Sequence, residues 1–280
     1  MSVVLDRSEI EAKNAHSIIS FETKGGGQWK IWDRYLFLEG RPAYHIGNIC
    51  DTCAFFFERE EGANQKVSPG KVSNALRKGV RSLERELLED VASILPNARY
   101  EVALLEFVPE LITPGAPEDY FRREQIELWG IDAFWGLPHN PQTEYYRIGS
   151  QFLGEDIPLG KKLLPPNVRR SHLFEFCVPI YPGSWLNKDT VESYRNKLLG
   201  GEGSTAIALS VLDVKQPANW YDDSKINEHW CLAHYLLDGH HKTYAAASVH
   251  KSITLLSFMD VSKGISRKED VEFLFNALSR

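Results

Sequence analysis

Five consecutive residues, Asp238-Gly239-His240-His241-Lys242, carry the densest chemistry in the chain. They sit between an apolar run, Trp230 to Leu237, and an alanine-rich one, Ala245 to Ala247. The pattern predicts a strand that runs straight into a tight turn and then a short helix, His241 to Val249. The first amides of a helix have no partner within it and the dipole adds partial positive charge, so such a start is a ready place for phosphate. Gly239 removes the Cβ that would hold a ligand away. Lys242 adds a point charge, Thr243 follows it into the first turn, and His240 and His241 can donate hydrogen bonds or move protons near neutral pH. Two other readings attach to the same residues. One is a plain turn flanked by exposed histidines. The other is a metal site of Asp238, His240 and His241, disfavoured because adjacent histidines rarely point the same way.

A second candidate is His45-x4-Cys50-x2-Cys53. Two thiolates at this spacing can share a tetrahedral zinc on a tight knuckle, with His45 as third ligand and His16, His139, His172 or Cys177 as a distant fourth. The pair also fits reduced structural cysteines or a redox couple. Thioredoxin-type chemistry wants a helix start, whereas Ala54-Phe55-Phe56-Phe57 predicts a strand. Cys177 and Cys231 lie in apolar runs and fit core packing. Between these candidates, Trp135, His139, Tyr145, Tyr146 and Arg147 fall in a stretch, Asp132 to Arg147, that predicts irregular chain: a packed loop or the wall of a cleft.

The elements that must position these groups follow from periodicity. Trp29 to Leu38 has strand composition. Ser68-Pro69 announces a helix, and Val72, Leu76, Val80, Leu83, Leu87, Val91 and Leu95 predict one long amphipathic helix stopped at Pro96, with Arg77, Arg81, Glu84 and Arg85 on its solvated face. Tyr100 to Val108 predicts a strand and Pro117 to Leu128 a helix. Pro158 to Arg170 has the composition of a linker. Beyond it the expected order is strand Leu173 to Ile180, helix Asp189 to Leu199 capped by Asp189, and strand Thr205 to Val214. A polar turn from Asn219 to Glu228, the strand and helix around Asp238, strand Ile253 to Met259 and helix Ser266 to Leu278 complete it. The expected division is an α+β region over 1–165 with a cysteine knuckle, and a second α/β domain over 170–280.

This order, with an apolar strand leading into a Gly-His-His-Lys box and a helix of small residues, resembles the ParB/sulfiredoxin superfamily. The resemblance implies a fold that binds nucleotide phosphates on that box. It implies that Gly239, His240, His241, Lys242 and Thr243 hold phosphate, and that Asp238 acts as acid/base or as a metal-side carboxylate. Glu175 falls where some members place a functional acid. The closest likeness is to the kinase-related and uncharacterised branches. The box lacks a cysteine, so sulfinic acid repair is not implied. It ends in lysine where arginine would offer a bidentate fork, and no DNA-binding helix-turn-helix follows.

Bulk properties bound the function. The chain has 280 residues, is 43% hydrophobic and 25% charged, and carries a net charge of -6, values of an ordinary globular protein. The negative balance weighs against a broad nucleic-acid surface, which needs clustered Lys and Arg. No apolar run reaches the ~18 residues needed to span a bilayer, no secretory leader is evident, and the cysteines form no disulfide framework, so a cytoplasmic location is expected. The expected function is nucleotide or phosphorylated small-molecule binding, with transfer or hydrolysis of a phosphoryl group from a nucleoside di- or triphosphate supported by Mg2+. The competing expectation is a non-catalytic, zinc-stabilised binding or regulatory module.

Overall fold

Thr205 to Lys215 is apolar on both faces: Ala206, Ala208 and Leu212 alternate with Ile207, Leu209 and Val211. A strand of this kind needs cover on both sides, and the rest of the fold supplies it. The computed structural model describes all residues except 15–16, 26–31, 50–54, 65, 68–69, 71–72, 122–142, 154–170, 216–227 and 280.

In chain order the strands are β1 (Val3–Ala12), β2 (Ile19–Gly25), β3 (Trp32–Leu38), β4 (Arg41–Asn48) and β5 (Glu58–Arg59). Helices α1 (Ser73–Lys78) and α2 (Arg85–Ala92) follow, then β6 (Ala98–Phe107), β7 (Glu110–Ile112) and β8 (Tyr145–Leu153). The remainder is β9 (Ser171–Pro179), α3 (Lys188–Leu199), β10 (Thr205–Lys215), β11 (Glu228–Asp238), α4 (His240–Val249), β12 (Ile253–Asp260) and α5 (Lys268–Leu278). The protein is mixed α+β. A large sheet runs β1-β6-β12-β10-β11-β9-β8-β7 and a small antiparallel sheet runs β2-β3-β4-β5. In the large sheet β10 pairs parallel with β12 and β11 parallel with β9, and the other neighbours are antiparallel.

The large sheet separates two cores. On one face Ile207, Leu209 and Val211 meet the small sheet, α1 and α2 through Leu36, Tyr44, Leu76 and Leu88. On the other Ala206, Ala208 and Leu212 meet α3, α4 and α5 through Val191, Ala245, Val271 and Phe275. The boundary expected at 165–170 is not a boundary in the sheet. β6 hydrogen-bonds β12 over Ile253↔Phe107 to Asp260↔Tyr100, so strands from both sides of it share one ladder.

Several expectations are corrected. The single helix over 72–95 is two helices. Gly79 adopts φ +85°, and a Cβ there would lie 3.0 Å from the backbone of Gly203. A left-handed residue ends an α-helix, and close packing on the Gly203 turn outweighs the apolar period. Phe55 to Phe57 form no strand; the rings of Phe55 and Phe57 fill the aromatic core against Phe121, Tyr145 and Phe176, and that of Phe56 packs on His45. Tyr145 to Arg147, expected to be irregular, begin β8, because β9 supplies a ladder invisible to local pattern. Helix α3 is capped by Asn187, whose side chain accepts from the Thr190 amide, and Asp189 lies in the first turn. Of the helix expected over 117–128, residues 117–118 form a turn, 120–121 are π-helical and 122–128 lie outside the described residues, as does the expected linker over 158–170.

One buried ion pair joins the small sheet to the large. Arg34 on β3 donates to Asp213 on β10 through both terminal nitrogens, 2.9 and 2.7 Å, and also to the carbonyls of Gly47, Ile46 and Lys263. Burial alone would raise the Asp213 pKa, but Arg34 holds it below the usual carboxylate value. Truncating one member leaves the other charged and buried without its partner. Arg34→Ala is therefore expected to cost about 3–5 kcal/mol, read as a lower urea midpoint. A loss under ~1 kcal/mol would show that the pair does not join the sheets.

Candidate functional site

The Asp238–Lys242 turn forms where β11 ends and β10 begins, with Asp238 opposite Ile207. Gly239 adopts φ +103°, and a Cβ on it would stand 2.6 Å from the Cβ of Ala206. Both facts demand glycine. The turn is thus pressed onto the sheet, and α4 starts at once. Having no side chain, Gly239 cannot cap the helix. The Gly239 carbonyl accepts from the Thr243 amide at 2.8 Å and from the Thr243 hydroxyl at 3.0 Å. The amides of His240, His241 and Lys242 have no acceptor among the described residues.

The side chains divide sharply. His240 is buried, its ring stacked 3.6 Å from that of Tyr181, and its Nε2 accepts from the Ile180 amide at 3.1 Å. Burial, then the neighbouring His241, pushes its pKa well below the usual value. His240 is therefore a neutral imidazole with the proton on Nδ1, not a proton carrier near neutral pH. His241 is partly exposed and its Nε2 accepts from the Asn187 amide at 3.0 Å. Lys242 is buried, donating to the Thr205 carbonyl at 2.8 Å and to Asp238 Oδ2 at 3.1 Å. Lys242 thus fixes the turn from inside, and the Asp238 side chain stays 27% exposed.

Residues that the sequence does not single out complete the corner. Lys66 lies over the rings of Tyr181 and Trp185 and acts electrostatically on His241. Arg77, near the end of α1, and Lys197, on α3, act on Lys242, whose pKa burial already lowers. Arg77 is placed by the break at Gly79, because the Val80 amide donates to the Thr205 hydroxyl at 2.7 Å. Arg77 is exposed, as expected, and its charge also reaches Lys242 in the turn. Three cations distant in sequence thus contribute to the electrostatic field at His241 and Lys242. Their positions are 66, 77 and 197, a spacing that no local pattern reveals.

Glu175 is not part of this corner. It lies mid-strand on β9, fully buried, and accepts from His234 Nε2 at 3.1 Å and from the Ser2 amide at 3.1 Å. Ser210 bonds His234 Nδ1 at 2.7 Å, and the Ser257 hydroxyl donates to Ser210 at 2.8 Å. This row crosses β12, β10, β11 and β9. It has the residue types of a nucleophile, base and acid, but all four side chains are sealed from solvent. No substrate reaches them, so they act as an internal polar tie. The pKa of Glu175 is lowered, with burial opposed chiefly by His234.

Of the expected zinc ligands, Cys50 and Cys53 lie outside the described residues, as do His16 and His139. His45 sits on β4 with Nε2 3.2 Å from Asp33 and Nδ1 3.8 Å from Glu58, stacked on Tyr35. Its ring nitrogens face carboxylates, so zinc binding through either one requires that nitrogen to leave its carboxylate, while the other could keep its own. Among the described residues, no three of His, Cys, Asp and Glu are grouped to hold a metal ion, Asp238, His240 and His241 included. Cys177 and Cys231 are buried, and burial raises both thiol pKa values. No described helix is long and apolar enough to cross a membrane.

No family model, curated protein or solved structure matches this chain. The reading of the site therefore rests on its own geometry.

Buried neutral histidines set an acid limit on stability. Burial lowers the pKa of His229 to about 2 and takes that of His240 well below 6.5. As pH falls below about 6.5 the unfolded chain binds protons that the folded chain refuses. Stability is then full above that pH and is lost below it, by about 1.4 kcal/mol per pH unit for each such histidine. Thermal unfolding is expected to show a steadily falling Tm from pH 6.5 to 4.5. A flat profile over that range would mean that these histidines are hydrated in the native state.

Proposed function

We propose that this protein binds the phosphate group of a nucleotide or phosphorylated small molecule at the start of α4. The observation that carries the reading is the set of uncapped amides at His240, His241 and Lys242, in a region where the charge of Lys66 acts on His241 and the charges of Arg77 and Lys197 act on Lys242. Amides at a helix start favour an anion, and an excess of cations in a chain of net charge -6 needs a counter-charge. The likeness of the box to the ParB/sulfiredoxin superfamily supports the same reading, as does the strand, turn and helix around it.

The proposed chemistry is transfer or hydrolysis of a phosphoryl group. Catalysis of this kind is largely positioning and charge neutralisation. Lys66, Arg77 and Lys197 would meet the negative charge of the phosphoryl oxygens. Asp238, oriented by its bond to Lys242, is the carboxylate placed to accept the proton of an attacking hydroxyl or water. The residues fit a resident Mg2+ poorly. A divalent cation would meet one carboxylate, already paired with Lys242, among several positive charges. No step is assigned to it.

Inorganic phosphate and ATP, tested separately by thermal shift, should both stabilise the protein, by about 2.7 kcal/mol at a hundred times Kd. Arg77→Ala and Lys66→Ala should each weaken phosphate binding about tenfold, about 1.4 kcal/mol, with little change in the unliganded Tm. Lys242→Ala should destabilise the unliganded protein, because it strips Asp238 and the Thr205 carbonyl of their donor. Unchanged Tm at millimolar phosphate and ATP would remove this function.

A further inference from the structure

The large sheet ends on one side at β7, three residues long, and on the other at β1, ten residues long. Among the described residues β1 pairs with β6 alone, and no other segment bonds backbone to backbone with it. A long edge of this kind offers its outer row of amides and carbonyls to another strand, and proteins ordinarily shorten or cover it. The space beside it is open. A cavity of about 610 Å³ lies between Ser8 to Lys13 and the α2 side chains Arg85, Leu88 and Glu89. Another, of about 710 Å³, lies where Glu9 to Lys13 meet Asn97, Ala98 and Arg99.

The charges along β1 decide what fits its edge. Arg7, Glu9 and Glu11 are exposed and alternate with Ser8, Ile10 and Ala12, so they share one face of the strand. Arg7 lies over the Phe275 ring at 4.7 Å, and Glu9 is paired with Arg99. In the β1–β6 ladder Glu9 stands opposite Glu101, and Arg7 stands opposite Ala103. Like charges directly opposite are unfavourable, and the Glu101 pKa is raised, first by burial and then by Glu9. Directly across the ladder, Glu9 thus meets an acid and Arg7 meets none.

A second β1 laid antiparallel along the edge corrects both. With Ser8 facing its own copy, Arg7 of each chain stands opposite Glu9 of the other, twice about the axis. Centring the pair on Arg7 or on Glu9 instead would set a like charge against itself. Ser8 is also near the middle of β1, so the two strands overlap over most of their length. A strand of another protein would need a base and an acid at this same spacing, whereas a second copy brings them by symmetry.

We propose that β1 is a dimerisation edge, to which a second copy of this chain adds its own β1 antiparallel, with Ser8 at the twofold axis and Arg7 of each copy facing Glu9 of the other. The large sheet then runs through both copies. This proposal and the phosphate reading do not depend on each other.

Sedimentation of the full chain over a wide range of concentration should show a reversible monomer–dimer equilibrium. Arg7→Glu and Glu9→Arg each turn both facing pairs into like charges, and each should weaken the dimer about tenfold or more. Mixed in equal amounts, the two variants should pair with each other at about wild-type strength, because each supplies the charge that the other lacks. The exchanged side chains are exposed, so the fold should survive, and mixing could not rescue a misfolded variant. A wild-type monomer at every concentration overturns the proposal and leaves the edge to a strand of another protein. A dimer indifferent to both substitutions places the interface elsewhere and overturns it equally. Weakening by each variant with no recovery in the mixture overturns the pairing of Arg7 with Glu9.

Discussion

The place a Cβ would need on Gly239 is occupied by Ala206, whose own Cβ would be 2.6 Å away. This close approach brings the start of α4 down onto the ends of β10 and β11. It also denies the helix a side-chain cap, since the N-cap residue has no side chain to offer. Amides that a serine or aspartate would ordinarily satisfy are left for something else. The small residues of α4 extend the same constraint: Ala245 and Ala246 are fully buried against the sheet. A larger residue at either position would lift the helix and open the corner.

Around that contact the fold holds its polar groups in two different ways. Inside the sheet they are closed into finished sets. Arg34 with Asp213, and Ser257 through Ser210 and His234 to Glu175, leave no donor seeking a partner outside the protein. Such sets bind strands together and select one register, since a buried polar group costs most when its partner is displaced. At the end of the sheet the sets are unfinished. The backbone amides of His240, His241 and Lys242 have no acceptor among the described residues. Lys242 belongs to both regimes, since it closes the turn from within while its charge adds to the field outside.

This division bears on Glu175. A carboxylate, a histidine and a serine in hydrogen-bond contact have the residue types of catalysis, but chemistry needs access as well as geometry. The row lies in the middle of four paired strands with no exposed atom to offer. The corner at Asp238 has fewer conspicuous residues and an open face.

Much of the C-terminal half was legible in the amino-acid order. Thr205 to Lys215 and Glu228 to Asp238 are long apolar runs bounded by polar turns, and His240 to Val249 follows a glycine at a strand end. Local physics suffices for such elements, because backbone preference and burial agree. The Asp238–Lys242 box was legible as a strand, turn and helix start for the same reason: a helix start after glycine is a local property. What lay beyond the sequence was every feature made by contact between distant segments. The break at Gly79 depends on the Gly203 turn, β8 depends on β9, and the shared ladder of β6 and β12 links segments some 150 residues apart. The directions of His240 and Lys242 were set by Tyr181, Ile180 and Thr205, so two residues expected to face a ligand turned inward. Lys66, Arg77 and Lys197 carry no local signature of the site. Periodicity reports which face of an element is buried, but only tertiary packing decides which faces meet, and the candidate site is made where they do.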